Sequence, residues 1–292
     1  MSQERILLTG AGGGIGSKLG RVLSEYGYDV VGVDLKPPSD RAFRWIYTDL
    51  TDRAQVMRLM EGIDAVVHLG EIPNMWGPFP PDEIYANNTR IASTVFQAAA
   101  FHGVDRIVYA STAQIYGCWG DRRIPPEYLP LDEAHPLRPQ NGYALSKVAN
   151  EGYLRMMTVQ NPFLTATALR FPGVMGMWWS WDDFVGRLKR HREDRDGYGT
   201  YVFIDDLCDA FRLALERRSP GTVREYNVLA NDIASLETTR DYLSHVWPDL
   251  SLPAGFPDFG AWASSERIKR ELGWQPKFNV HEAWRERQAF SP

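Results

Sequence analysis

Tyr143 and Lys147 stand four positions apart in Tyr143-Ala144-Leu145-Ser146-Lys147, a spacing that puts a phenol and an ammonium on one face of a helix. A free phenol, with a pKa of about 10, is a poor base near neutrality. An adjacent ammonium favours the phenolate and brings that value down, so the pair can take a proton from a hydroxyl. The same spacing also occurs on plain solvated helices, and further groups must decide between the two. One comes from Ile107-Val108-Tyr109-Ala110-Ser111-Thr112-Ala113-Gln114-Ile115-Tyr116-Gly117, an apolar strand whose end delivers two hydroxyls. Thr112 can donate to a substrate oxygen and hold it against Tyr143; the plain alternative is a strand ending in ordinary Ser-Thr turn chemistry.

A hydride acceptor would complete this chemistry, and Thr9-Gly10-Ala11-Gly12-Gly13-Gly14-Ile15-Gly16 offers a place for one. The glycines of Gly10-x-x-Gly13-x-x-Gly16 let the backbone turn tightly and approach a pyrophosphate, while the following helix supplies unpaired N–H groups and a partial positive charge. Gly10, Gly13, Gly14, Ile15 and Gly16 are therefore cofactor-binding candidates. Asp34 ends the next strand about twenty residues on, where a carboxylate accepts both ribose hydroxyls of an adenosine. A 2′-phosphate would meet that negative charge, which favours NAD over NADP, with Lys36 and Arg41 close by in sequence.

Positioning these groups requires alternating strands and helices. Ile6-Leu7-Leu8, Val30-Val31-Gly32-Val33, Trp45-Ile46-Tyr47, Ala65-Val66-Val67, Ile107-Val108-Tyr109 and Thr167-Ala168-Leu169 read as strands. Lys18 to Tyr26, Arg53 to Met60, Ile84 to His102 and Ala144 to Gln160 carry apolar residues at helical spacing. This rhythm predicts an α/β fold, a Rossmann-type doubly wound parallel sheet with a small C-terminal substrate-side lobe, binding ligands at the carboxyl ends of its strands. Residues 1–171 and 201–230 are assigned to the NAD-binding domain, and 172–200 with 231–292 to the lobe.

With 292 residues, 44% of them hydrophobic, the chain can bury a core without disulfides or metals. A net charge of -5 with interspersed signs leaves no positive field for nucleic acid. Cys118 and Cys208 lie far apart and outside metal-ligand spacing, as in a reducing compartment. No apolar run is long enough to span a bilayer, and Ser2-Gln3-Glu4-Arg5 leads directly into a strand without a signal-peptide core. The expectation is a cytoplasmic protein with no metal, no membrane and no nucleic-acid partner.

In combination and order these motifs resemble the extended short-chain dehydrogenase/reductases of the NAD-dependent epimerase/dehydratase family, across nearly the whole chain. The resemblance implies NAD as cofactor and Thr112, Tyr143 and Lys147 as catalytic residues, Tyr143 and Lys147 also touching cofactor. It implies that Asp49-Leu50 contacts adenine, that Leu69-Gly70 after His68 lies beside the cofactor, and that Asn88 supports the active-site backbone. Phe171, in Phe171-Pro172-Gly173, borders the nicotinamide. Ile204-Asp205-Asp206-Leu207 and Leu272-Gly273-Trp274-Gln275-Pro276 resemble the family's late motifs. A homodimer through the helices near Ile84 to His102 and Tyr143 to Gln160 is also implied.

Departures from the family narrow the activity. Ala113 and Gln114 follow Thr112 where the 4,6-dehydratases have an acidic pair, which argues against dehydration. Gly173 takes the place of an Asn that holds the nucleotide diphosphate in epimerases, and the stretch from Gly176 to Tyr201 is short, so a smaller substrate is expected. Ser180-Trp181-Asp182-Asp183-Phe184 resembles the substrate-side loop of the family's uronate dehydrogenases, although their carboxylate-binding Arg has no match. Ser111, Gln114, Gly173 and Trp178 are substrate candidates. Met175, Met177, Trp178, Trp179 and Trp181 form either an apolar lid for a sugar ring or ordinary cover, and Arg187, Lys189, Arg190 and Arg192 read as a solvated charged segment. The function expected is NAD-dependent oxidation of a secondary alcohol of a sugar or sugar acid. A sugar or nucleotide-sugar epimerase using the same residues, and a non-catalytic dinucleotide sensor, are the alternatives.

Overall fold

Short runs of Val, Ile, Leu and Ala, each closed by Gly, Asp or Thr, are too short for stable helices and too apolar for loops, so they pair as buried strands. The computed structural model describes residues 3–73, 78–119, 122, 124–177 and 199–289, with side chains as far as 286. Among the described residues the strands are β1 (Arg5–Thr9), β2 (Asp29–Asp34), β3 (Arg44–Tyr47), β4 (Ala65–His68), β5 (Arg106–Thr112), β6 (Thr165–Phe171), β7 (Gly173–Met175), β8 (Tyr201–Phe203) and β9 (Thr222–Asn227). Seven of them form one sheet in the order β3-β2-β1-β4-β5-β6-β9, and β7 pairs with β8. The pairings from β3 through β5 are parallel.

The chain starts in the middle of this sheet and works outward, first to one side and then to the other. The order therefore reverses between β1 and β4, which opens the crevice that ligands use in such sheets. Register matters at this edge: Thr9 lies opposite His68, and His68 opposite Tyr109. Three polar residues from three separated segments are thereby aligned across the carboxyl ends of β1, β4 and β5.

The described helices are α1 (Gly14–Glu25), α2 (Arg53–Leu59), α3 (Pro81–Phe101), α4 (Gly142–Gln160), α5 (Ile204–Glu216), α6 (Thr239–Val246), α7 (Glu266–Leu272) and α8 (Val280–Ala289). Their starts are written in the sequence. Asp52 accepts from the Ala54 and Gln55 N–H groups at the head of α2, Pro81 opens α3, and the Asn141 side chain accepts from Ala144 N at 2.8 Å at the head of α4. Strands and helices share a core that includes Leu7, Val66, Val95, Phe96, Ile107 and Leu154. Burying each of the large side chains contributes about 1.5–3 kcal/mol.

Two compact units emerge. The first comprises residues 1–112, 141–169 and 208–225; the second comprises 113–140, 170–207 and 226–292. Within the second, Trp119 stacks on Trp262 at 4.5 Å and Trp247 meets Trp262 edge-on at 5.2 Å. There too the two late motifs lock together: Trp274 Nε1 donates to the Asp206 carbonyl at 2.9 Å, while the Asp206 carboxylate accepts from Lys277 N and Phe278 N at 2.9 and 3.1 Å. No helix among the described residues is long and apolar enough to cross a membrane.

Candidate active site

Gly10 leaves β1 at φ 74°, in the left-handed region, and a Cβ there would come within 2.7 Å of the Leu69 carbonyl carbon and 2.8 Å of Gly70 N. A Cβ at Gly16 would overlap the Gly10 carbonyl oxygen, so glycine alone lets the turn fold back onto its helix. The head of α1 has no side-chain cap and no acidic residue in its first turn. Its N–H groups and dipole therefore suit an anion brought from outside.

Asp34 lies at the adjacent strand end, as the sequence predicts. Its Oδ2 accepts from Gly12 N at 2.9 Å and its Oδ1 from Lys36 N at 3.2 Å, fixing the carboxylate while leaving lone pairs for two hydroxyls. The Asp49 Oδ1 accepts from Thr51 N at 2.9 Å and from Thr51 Oγ1 at 2.7 Å. Leu50 is buried, and so near Gly70 that a Cβ there would overlap its side chain. Turn, Asp34, Leu50 and Gly70 thus belong to one edge, and the residues fit a dinucleotide.

Tyr143, Lys147 and Thr112 are brought together within the first unit. All three are buried, and the Thr112 hydroxyl hydrogen-bonds the Tyr143 phenol, favouring its ionised form. Lys147 Nζ lies 5.3 Å from the Tyr143 ring centre and donates to the Ala110 carbonyl at 2.6 Å. Asn88 grips the backbone: its Oδ1 accepts from Ile72 N at 2.9 Å and its Nδ2 donates to Ile72 O at 3.0 Å. Ser111 donates its hydroxyl to the buried Glu151 at 2.6 Å. Gln114, Phe171 and Gly173 belong to the second unit, whereas Trp178, Trp179, Trp181 and the Arg187 to Arg192 charges lie outside the described residues.

Sequence reasoning passed over Glu71. This carboxylate is 1% exposed and its Oε2 sits 2.8 Å from Lys147 Nζ. Its Oε1 accepts from the Tyr109 hydroxyl and from Asn150 Nδ2, each at 3.0 Å, and faces His68 Nε2 at 3.4 Å. The Thr9 hydroxyl oxygen already accepts from Leu69 N at 3.1 Å and Gly70 N at 3.0 Å, so its proton goes to His68 Nδ1, 2.7 Å away. A neutral His68 then carries its hydrogen on Nε2, towards Glu71. The available signal was a carboxylate directly after an apolar strand and a glycine, beside the supposed cofactor edge.

These contacts set the acidities. Burial penalises the Glu71 carboxylate, yet Lys147 and His68 outweigh it and hold its pKa below the ordinary value. Burial likewise opposes the charged Lys147, but Glu71 and Tyr143 raise its pKa overall. The Tyr143 phenol is pushed up, first by burial; Lys147 and Thr112 lower it, and Glu71 raises it. Lys147 therefore does not by itself bring the phenol down, because burial and a second carboxylate counter it. Among the described residues no cluster of His, Cys, Asp and Glu could hold a metal.

Comparison with known proteins follows the same lines. The NAD dependent epimerase/dehydratase family model matches residues 6–228. A UDP-glucose 4-epimerase of Corynebacterium glutamicum is 28% identical over 328 aligned positions, covering 96% of this chain and 94% of the epimerase. A uronate dehydrogenase of Pseudomonas putida is 32% identical over 64% of this chain and 70% of its own length. Among solved structures, a short-chain dehydrogenase/reductase superfamily protein from Agrobacterium tumefaciens with bound NAD superposes with a TM-score of 0.72, at 23% identity and 98% coverage of both chains.

Proposed function

The chain belongs to the NAD dependent epimerase/dehydratase family and is an NAD-dependent enzyme, and from that premise we propose that it oxidises a secondary alcohol of a sugar or sugar acid. The observation that carries the reading is the hydrogen bond between Thr112 and Tyr143, with Lys147 alongside. The glycine turn from Gly10 to Gly16 and Asp34 would hold NAD, with Asp49, Leu50, Leu69 and Gly70 towards its adenosine end and Lys147 towards its nicotinamide end. NAD held there would supply the acceptor for the hydride of the carbinol carbon.

Tyr143, in its phenolate form, accepts the hydroxyl proton of the substrate and becomes the neutral phenol. Thr112 donates to the phenol oxygen and stabilises its charge as the proton leaves the substrate. Lys147 adds a positive field at the same oxygen. Burial of the three side chains keeps water from competing for that proton.

A compact substrate is supported by length. The alignment with the epimerase runs over 328 positions against a chain of 292 residues, so that relative carries insertions this chain lacks. The uronate dehydrogenase relative favours a sugar acid. Epimerisation is the second reading, favoured by the near-complete coverage of the UDP-glucose 4-epimerase. In that case the hydride returns to the opposite face of the oxidised carbon, and no NADH accumulates.

Incubation with NAD and a panel of hexoses, hexuronates and UDP-hexoses separates these readings. Stoichiometric NADH with a hexuronate or hexose supports the dehydrogenase reading, and an isomer without NADH supports epimerisation. Tyr143→Phe should lower turnover by about 10²–10⁴-fold with NAD affinity nearly unchanged. Full turnover in that variant overturns the role given to Tyr143, and tight NAD binding with no hydride exchange across the panel overturns both substrate readings.

We also propose a homodimer through α3 and α4, which expose Phe101, Leu145 and Val159. Light scattering that shows only monomer overturns it.

A further inference from the structure

Glu71 is a buried charge that the reaction just described does not use. Its carboxylate is reached from four directions: by His68 from the end of β4, by Tyr109 from β5, by Lys147 and Asn150 from α4, and by its own chain leading to Ile72, which Asn88 of α3 holds. Tyr109 and Asn150 are uncharged donors to one carboxylate oxygen, which His68 Nε2 faces at 3.4 Å. Lys147 is the cation that faces the other oxygen, and Glu151 contributes a second, more distant negative charge to Lys147 while it is engaged by Ser111 and Arg155. A buried carboxylate gripped on one oxygen by two neutral donors and facing an ammonium with the other is held in place, not merely tolerated.

We propose that Glu71 is a positioning residue, an internal counter-ion that draws the Lys147 ammonium onto its own carboxylate and so governs how strongly that ammonium acts on the Tyr143 hydroxyl. Lys147 Nζ donates to the Ala110 carbonyl at 2.6 Å and stands 2.8 Å from Glu71 Oε2 as an ion pair, so the ammonium sits against that carboxylate. The lysine's field at the phenol is accordingly opposed by a full negative charge attached to the same spot. The enzyme's proton acceptor is thus less acidic than a Tyr-Lys pair alone would make it. The direction agrees with the charges on the phenol, where Lys147 and Glu71 act in opposite senses.

This inference rests on Tyr143 being the proton acceptor, and its test keeps the two apart. Glu71→Gln keeps the shape and the acceptor oxygen while removing the charge. Two readouts are followed: the acid limb of kcat/KM against pH with the best substrate of the panel, and the ultraviolet phenolate titration of the protein without NAD. Subtracting the same titration of Tyr143→Phe isolates residue 143, and circular dichroism marks the pH range in which each protein stays folded.

Removing a negative charge makes a neighbouring acid stronger, so both transitions should move to lower pH by about one unit. Glu71→Asp, which restores the charge, should return them towards the wild-type position. Transitions that stay in place or move upward in Glu71→Gln, while Tyr143→Phe remains inactive, overturn the counter-ion role and leave the assignment of Tyr143 standing. Full activity in Tyr143→Phe overturns the assignment itself, and the counter-ion role with it.

Discussion

Gly142 and Pro81 are packed so closely that a Cβ on the glycine would overlap the Pro81 carbonyl oxygen and lie 2.7 Å from its carbon. Gly142 is the first residue of α4 and Pro81 the first of α3, so this contact sets where the Tyr143 end of α4 lies against its neighbour. Gly142→Ala must push backbone away from backbone. The expected outcome is a stability loss of about 1–3 kcal/mol, as in other overpacked sites. Turnover should fall further than stability alone explains, because the displaced turn carries the phenol. Urea unfolding together with kcat measures both, and an unchanged kcat in a destabilised but folded variant defeats the coupling.

Asp34 gives a second prediction. Its carboxylate accepts from Gly12 N and so ties the glycine turn to β2, and in the proposed reading it also receives the ribose hydroxyls. Hydrogen bonds to a charged group contribute about 1.5–3 kcal/mol each, so Asp34→Ala should weaken NAD binding by at least about tenfold. Discrimination against NADP should narrow at the same time, since the repelling charge has gone. Calorimetric titration with each dinucleotide provides the check; unaltered preference for NAD would mean that selectivity resides elsewhere.

The Glu71–Lys147 pair makes stability depend on pH in a definite way. The Glu71 pKa is lowered on folding, so its contribution is present above the ordinary carboxylate value of about 4.3 and is lost as the pH falls through the lower folded value. The Lys147 pKa is raised, so its contribution is present below about 10.4 and is lost as the pH rises through the higher folded value. Between those limits Lys147→Met leaves a buried carboxylate uncompensated and should cost about 3–5 kcal/mol. Replacing both residues by methionine should recover most of that loss. Unfolding curves for wild type and the three variants across pH complete the cycle, and additive single losses would show that the two charges do not interact.

Much of this arrangement was readable in advance. The helix-covered parallel sheet follows from apolar runs of strand length alternating with helical spacing. The grouping of Tyr143, Lys147 and Thr112 was legible because the first two lie on one helix and the third ends a strand. Glu71 was not, because its burial arises from residues 68, 109, 147 and 150 converging after folding, and a carboxylate between Gly70 and Ile72-Pro73 looks like a solvated loop. The acidity of Tyr143 was hidden for the same reason: spacing announces the lysine, but desolvation and the opposing carboxylate appear only in three dimensions. Ser111 likewise looked free to meet a substrate, and its proton is spent on Glu151.

Asp206 supplies the last prediction, in which removing a charge and removing an acceptor have different consequences. Its side chain accepts from the main-chain N–H groups of Lys277 and Phe278, three and four positions after Trp274, which donates to its carbonyl. Burial nonetheless pushes its pKa above the ordinary carboxylate value, outweighing those two bonds and nearby Lys277. A group raised on folding carries a penalty once it is ionised, and that penalty is relieved as the pH falls through the folded value. Asp206→Asn removes the buried charge and keeps one oxygen for one of the N–H groups, so gain and loss should nearly cancel at neutral pH. Asp206→Ala strands both donors and should destabilise by about 1–3 kcal/mol for each one left buried. Thermal unfolding at neutral pH ranks the variants, with the asparagine protein close to wild type and the alanine protein well below both. If asparagine proves as damaging as alanine, the ionised carboxylate itself holds the segment that follows Trp274, and the desolvation penalty assigned to it is too large.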